Sequence, residues 1–299
     1  MRFEAEVSEW IARRGEGDID RCESIAGGDI NEAFRITTNQ GTNYFLKRHA
    51  NPPPQMFEVE ALGLEALRNA LASCEATALR VPQVFLWGAS FLLLEDLHPA
   101  PKRPDYWQAL GRGLAEIHND TRTCFGFSQD HQGQSRQIDN YCGLTPQPNP
   151  RMTDGYAFFA EARLTHQATL AADKGLLTPT DLSDVENLCR RLPQLIPEQP
   201  ASLIHGDLWS GNAHCGPNGE PALIDPAAHW GWAEAEIAMT RLFGGFAPGF
   251  YDAYLEVRPL DPGWERRLDL YNLYHVLNHA NLFGHGYVGQ ARTILRKYL

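Results

Sequence analysis

Leu203 to Asn212 reads LIHGDLWSGN, and this stretch decides the fold. Leu203 and Ile204 have the character of a buried strand end. His205, Gly206 and Asp207 follow at once, and an Asn stands five residues after the Asp. A packed core has no use for an acid there, whereas a site that handles protons and a metal does. Downstream, AHCGPNGEPALID at 213–225 reads as a hairpin turning at Asn218-Gly219 and delivering a second acid, Asp225. Asp207, Asn212 and Asp225 therefore come from one strand–loop–hairpin unit and can converge on one site.

The N-terminal third supplies the complement. SIAGGDINEAFRITT at 24–38 reads as strand, Gly-rich turn, strand, and NYFLKRH at 43–49 as a further strand. Alternation puts Phe45 and Lys47 on one face of it and Leu46 on the other. After the NPPP break at 51–54, Phe57, Ala61, Leu64, Leu67 and Leu71 form the stripe of a helix over about 57–71. Glu60 falls inside that stripe, and a buried carboxylate needs a cation, for which Lys47 is the candidate. VPQVFLWGASFLLLEDL at 81–97 is a strand pair ending in a polar hinge at Glu95-Asp96.

Beyond HPAPKRP at 98–104 the pattern turns helical, with segments marked by Trp107, Leu110, Leu114 and Ile117, then Phe158–Leu170 and Leu182–Leu192. Residues 126–155 are polar, rich in Gly, Pro and Gln, and read as a long irregular loop. The expected fold class is α+β: a small β-rich lobe over 1–97 and a larger, mainly helical lobe over 98–299.

An acid beside a hydroxyl can orient it and take its proton. An amide oxygen and a carboxylate are hard ligands suited to Mg²⁺. A strand Lys can meet nucleotide phosphates. Together these are the parts that phosphoryl transfer from ATP requires.

The order resembles the protein-kinase-like phosphotransferases, and within them the fructosamine (ketosamine) kinase family. The resemblance runs along GGDINEAFRI, YFLKRH, FEVEALGLEAL, LGRGLAEIH, DNYCGLTPQPN, LIHGDLWSGN, LIDPAAHWGWAEAEIAMTRLFGGF and LYNLYHVLNHANLFG. It implies a two-lobed protein-kinase-like fold and ATP-dependent phosphorylation of the sugar 3-hydroxyl of ketosamines, a step in protein deglycation. It further implies Asp207 as base, Asn212 and Asp225 as Mg²⁺ ligands, and Lys47 braced by Glu60 on the phosphates. Gly27, Gly28, Asp29 and Asn31 would belong to the loop covering the phosphates, and Glu95, Asp96 and Leu97 to the hinge that meets adenine through its backbone. Trp209, Asn140, Gln147 and Glu234 are candidates for the substrate pocket. Trp209 can be core or sugar wall, and the amides can contact substrate or fold the loop. The chain departs from the family pattern at His229–Glu234 and has Glu236 where the family tends to have Asp, which bears on the pocket and not on the reaction type.

The alternatives are a kinase of the same superfamily acting on an aminoglycoside or amino alcohol, and a non-catalytic ATP-binding module. The C-terminal QARTILRKYL is basic where an aminoglycoside pocket would want acids, and no catalytic part is missing.

The rest of the composition sets bounds. A length of 299 residues, 43% hydrophobic and 21% charged, is that of a globular enzyme. The net charge of −11 disfavours nucleic acid and anionic membranes, each of which wants a basic patch. The opening MRFEAEVSEW is acidic and is not a signal sequence, and no run approaches a membrane span. Six cysteines without a CxxC pair suggest reduced thiols in the cytoplasm; none lies within 27–34, so no thiol switch is expected in the phosphate loop. A monomer acting on a small ketosamine or glycated amine is expected. His275 and His279 have i, i+4 spacing, but the sequence offers no third metal ligand, so they read as part of a packed aromatic helix.

Overall fold

The computed structural model describes residues 2–26, 30–72, 78–131 and 134–299. Helix α1 (Arg2–Arg13) precedes strands β1 (Ile19–Ile25), β2 (Glu32–Thr38) and β3 (Asn43–Arg48), helix α2 (Met56–Ala72), and strands β4 (Val84–Gly88) and β5 (Phe91–Glu95). The strands form one antiparallel sheet in the order β1-β2-β3-β5-β4, with Lys47 paired to Ala33 on one side and Leu92 on the other. The period-2 alternation of β3 sorts its two faces as expected. Tyr44 and Leu46 join Val7 and Ile11 of α1 in a small core, with Ile36, Phe91 and Leu93. Phe45 packs on the other face against the main core, to which α2, Leu92 and Leu94 belong.

Helix α2 buries Phe57, Glu60, Ala61, Leu64 and Leu67, so the stripe arithmetic that placed Glu60 inward holds. Its Gly63 allows close approach to the segment after Asp225: a Cβ there would lie 3.2 Å from Ala228 Cβ.

The rest of the chain is mainly helical. Helix α3 (Tyr106–Asn119) packs on the helix Pro248–Val257, where Gly111 leaves no room for a side chain: a Cβ would stand 2.2 Å from Phe250 O. A further run begins as Gly155–Phe158, widens to a π-helical turn at Phe159–Thr165 and continues as His166–Asp173. Thr178 and Asp181 form a reciprocal capping box at the start of Pro179–Leu195. The long helix Trp264–Phe283 and the terminal Val288–Tyr298 complete the set. Among the described residues, no helix is long and apolar enough to cross a membrane.

Residues 126–155 are more ordered than their composition suggests. Two small hairpins, Ser128–His131 with Gln134–Gln137 and Asn140–Cys142 with Thr145–Gln147, occupy much of the segment. Strands of three or four polar residues carry too little apolar alternation to be read in advance.

Candidate active site

The strand Ala201–Ile204 sits between His229–Gly231 and Thr121–Arg122, and the chain leaves it at His205. Gly206 has φ +83°, and a Cβ there would lie 2.2 Å from Ala227 O. Only glycine fits both the left-handed backbone and that close approach. Glu236, inside the helix Ala233–Leu242, reaches beneath this turn. It accepts the backbone N–H of His205 at 2.8 Å and of Gly206 at 2.7 Å. His118 Nε2 lies 2.9 Å from the same carboxylate and His118 Nδ1 lies 2.7 Å from the Tyr254 hydroxyl. Burial alone would favour the neutral acid, but His118 and these N–H donors hold the Glu236 carboxyl below its ordinary range. A fixed negative charge thus clamps the turn that presents Asp207.

His205 braces the same turn. Burial lowers its pKa, so it is neutral, with Nε2–H donating to Ile224 O at 2.8 Å and Nδ1 receiving the Asp207 N–H at 3.3 Å. The Asp207 carboxyl is pushed up to about 8, first by burial and then by the charges of Asp225 and Glu236. It is a strong proton acceptor once ionised.

Asn212 donates Nδ2–H to Asp207 O at 2.7 Å, which fixes the amide and leaves Oδ1 as the atom that could hold a cation. The hairpin Ala213–Cys215 with Pro221–Leu223 then brings the chain back, and the Ile224 N–H donates to Asn212 O at 3.2 Å. Asp225 follows at φ +58°, a conformation non-glycine residues adopt at a cost and which recurs at functional sites. Its half-exposed carboxylate accepts from Lys47 Nζ at 2.9 Å, and the same nitrogen donates to Glu60 at 2.6 Å. Burial opposes the Lys47 charge, but Asp225 and Glu60 outweigh it and raise its pKa. The donor set of Asn212 Oδ1 and Asp225 carboxylate is hard oxygen, which fits Mg²⁺.

The remaining candidates separate into groups. Gly27, Gly28 and Asp29 lie outside the described residues; Asn31 is half-buried, and its Oδ1 has no partner among them. The Glu95 carboxylate pairs with Arg80, and that of Asp96 with Arg35 of β2. These side chains therefore hold the hinge, and Leu97 is buried behind it. Trp209 is 39% exposed and edge-on to Phe243 at 6.2 Å, so it is not core.

Asn140, Gln147 and Glu234 are buried, and each makes its hydrogen bonds to other parts of the chain. Asn140 Nδ2 donates to Ala228 O at 2.9 Å, and its Oδ1 accepts from Gln147 at 2.7 Å and Asn149 at 2.9 Å. Gln147 also donates to Ala227 O at 3.1 Å. These amides fold the loop onto the segment after Asp225, and Arg163 anchors it from the π-helical turn, donating to Pro148 O and Asn149 Oδ1 at 2.6 Å each. Glu234 is 2% exposed and binds Arg267 through both oxygens, at 2.6 and 2.8 Å, and the Tyr271 hydroxyl.

Sequence reasoning gave no role to Arg35, Arg80 or the Glu236 clamp. For Glu236 a signal existed: it is an acid on the buried face of an apolar helix, the pattern that exposed Glu60.

The family model described as fructosamine kinase matches residues 3–299. The chain belongs to the fructosamine kinase family. It is 40% identical over 289 residues to a protein of Synechocystis assigned as a ketoamine kinase, covering 94% of this chain and 91% of that one. It is 37% identical over 302 residues to the protein-ribulosamine 3-kinase of Arabidopsis thaliana, covering 98% and 87%. A crystal structure from Thermobifida fusca, assigned to fructosamine-3-kinase, superposes with a TM-score of 0.83 at 32% identity over 98% of each chain. An aminoglycoside phosphotransferase superposes at 0.59 with 16% identity over 99% of each chain, which places the fold among the kinase-like phosphotransferases. The family places the chain among phosphotransferases acting on a hydroxyl group, with ATP as co-substrate.

Proposed function

We propose that this protein is a ketosamine 3-kinase, transferring the γ-phosphoryl group of ATP to the sugar 3-hydroxyl of fructosamine- or ribulosamine-type adducts of amines in the cytoplasm. The observation that carries the reading is the linked set at the cleft: Lys47 bridges Glu60 and Asp225, while Asn212 ties the loop of Asp207 to the strand leading to Asp225.

In this mechanism Asp207 accepts the proton of the acceptor hydroxyl as that oxygen bonds to the γ-phosphorus and the bond to the β,γ-bridging oxygen of ATP breaks. Its carboxylate must be ionised beforehand, and its high proton affinity then helps the transfer. Lys47, kept charged by its two acids, meets the phosphates from the sheet. Asn212 and Asp225 would hold Mg²⁺, which supplies neutralisation of charge on the phosphates. The backbone from Glu95 to Leu97 would receive adenine, with Gly27–Asn31 over the phosphates, and Trp209 would wall the sugar. In this reading the two lobes meet at 97/98.

The test is ADP release from ATP-Mg²⁺ with ribulose-lysine and fructose-lysine, beside an aminoglycoside and choline. Turnover confined to the two ketosamines is expected, and turnover with a control alone would overturn the substrate assignment. Asp207→Asn should abolish turnover and leave ATP-Mg²⁺ affinity within a few-fold. A variant retaining most of its rate would remove Asp207 from the role of base.

A further inference from the structure

The sequence paired His275 with His279 at i, i+4 spacing and offered no third metal ligand. In the structure His279 does not converge with it: His279 Nδ1 lies 2.7 Å from the His275 backbone oxygen, and its ring packs among Phe243, Phe283 and Tyr287. His275 instead faces residues distant in sequence. A ring nitrogen of His275, the sulfur of Cys142 and a carboxylate oxygen of Asp207 all lie within 4.8 Å of one another. Cys142 ends the strand Asn140–Cys142, His275 lies within the helix Trp264–Phe283, and Asp207 is on the clamped turn.

We propose that Cys142, Asp207 and His275 form an inhibitory site for a thiophilic divalent cation, Zn²⁺ in particular. One thiolate, one imidazole and one carboxylate make a set of three typical Zn²⁺ ligands and a poor one for Mg²⁺, which takes oxygen and stays on Asn212 and Asp225. Around a tetrahedral Zn²⁺ such ligand atoms stand roughly 3.3–3.7 Å apart, so the triad closes by at most roughly 1.5 Å. Two of its members are fixed by the fold, Cys142 at 2% and His275 at 6% exposure, while Asp207 is half-buried.

A second observation points to a ligand. His275 Nδ1 is buried and has no hydrogen-bond partner among the described residues, an arrangement that costs free energy. The ring is neutral, since burial lowers its pKa to about 3, so a lone pair is available at neutral pH. Burial, with the Asp207 charge, pushes the Cys142 thiol up. Binding therefore converts thiol to zinc thiolate and, where Asp207 still holds its proton, carboxylic acid to carboxylate, with both protons released to solvent, driven by the charge of the cation.

The inhibitory consequence rests on the reading of Asp207 as the base. A cation on its carboxylate removes the lone pair that the acceptor hydroxyl needs and occupies the acceptor side of the cleft. Inhibition should compete with the ketosamine and not with ATP.

Co²⁺ serves as the optical probe on the full chain, reduced with a phosphine. One equivalent should give tetrahedral d–d bands and a thiolate-to-cobalt charge-transfer band, displaced by Zn²⁺. Cys142→Ser should abolish the charge-transfer band, and Cys142→Ser and His275→Gln should each weaken Zn²⁺ binding more than about 100-fold. With free Zn²⁺ held by a metal buffer, the apparent KM for the ketosamine should rise in the wild type and stay constant in Cys142→Ser. Both variants are checked by melting temperature, and if one fails to fold the other decides. No stoichiometric binding, an unchanged spectrum in Cys142→Ser, or full ketosamine turnover with Zn²⁺ bound would each overturn the proposal. Asp207→Asn in zinc-free buffer separates the two readings: if it stays active, the base assignment fails, while its Co²⁺ spectrum still reports whether the site exists.

Discussion

Replacing Glu236 tests whether a buried charge, and not shape alone, holds the turn that presents Asp207. Its carboxylate serves three partners: the N–H groups of His205 and Gly206, and His118. In Glu236→Gln one amide oxygen can still accept, while the NH₂ group faces a donor. At least one charge-assisted hydrogen bond, about 1.5–3 kcal/mol, is lost. In Glu236→Ala all three partners are left in a site closed to water, and the loss should reach roughly 4 kcal/mol. A chain of 299 residues unfolding with about 2.1 cal/mol/K per residue has an unfolding entropy near 0.6 kcal/mol/K. The expected drops in melting temperature are therefore about 2–5 °C for Gln and about 6 °C for Ala. Because the turn carries Asp207, the proposed base, kcat should fall more than about tenfold in Gln, while ATP affinity, which the proposed mechanism assigns to Lys47 and the sheet, stays within a few-fold. Scanning calorimetry and steady-state ADP release read the two effects. A Gln variant within 1 °C of wild type, at about full kcat, would refute the clamp.

Gly206→Ala should lower stability by about 2 kcal/mol or more and remove turnover, since Ala227 O is a backbone atom that cannot step aside; denaturant unfolding measures it. Lys47→Met should cost about 3–5 kcal/mol by stranding Glu60, whereas Lys47→Met with Glu60→Gln should recover much of that stability and none of the activity; a thermal shift beside an ADP assay tells them apart. The Arg292 guanidinium and the Thr178 cap hold the Asp181 carboxyl well below its ordinary 3.8. The folded chain thus binds that proton less tightly than the unfolded chain, so the contribution is complete above about pH 5 and is lost as pH falls below 3.8. The melting-temperature gap between wild type and Asp181→Asn should accordingly be constant from about pH 7 to 5 and shrink by about pH 3.5; a gap that widens on acidification would contradict it.

The sequence determined whatever local periodicity or chain order controls. Alternation put Lys47 opposite Leu46, and the apolar stripe turned Glu60 inward, so their 2.6 Å pair was legible before any coordinate. The order of Asp207, Asn212 and Asp225 on one strand–loop–hairpin unit announced their convergence, because short connections keep neighbours together. Tertiary structure alone decided the rest. Asn140, Gln147 and Glu234 are polar residues whose sequence context is the same whether they meet a ligand or the fold. Only the positions of Ala227, Ala228 and Arg267 show that their hydrogen bonds are used inside. Arg35 and Arg80 find their acids across the sheet and the hairpin. Cys142, Asp207 and His275 meet because a hairpin, a turn and a helix far apart in the chain pack together. Periodicity reports which side of an element is buried, and packing decides what is waiting there.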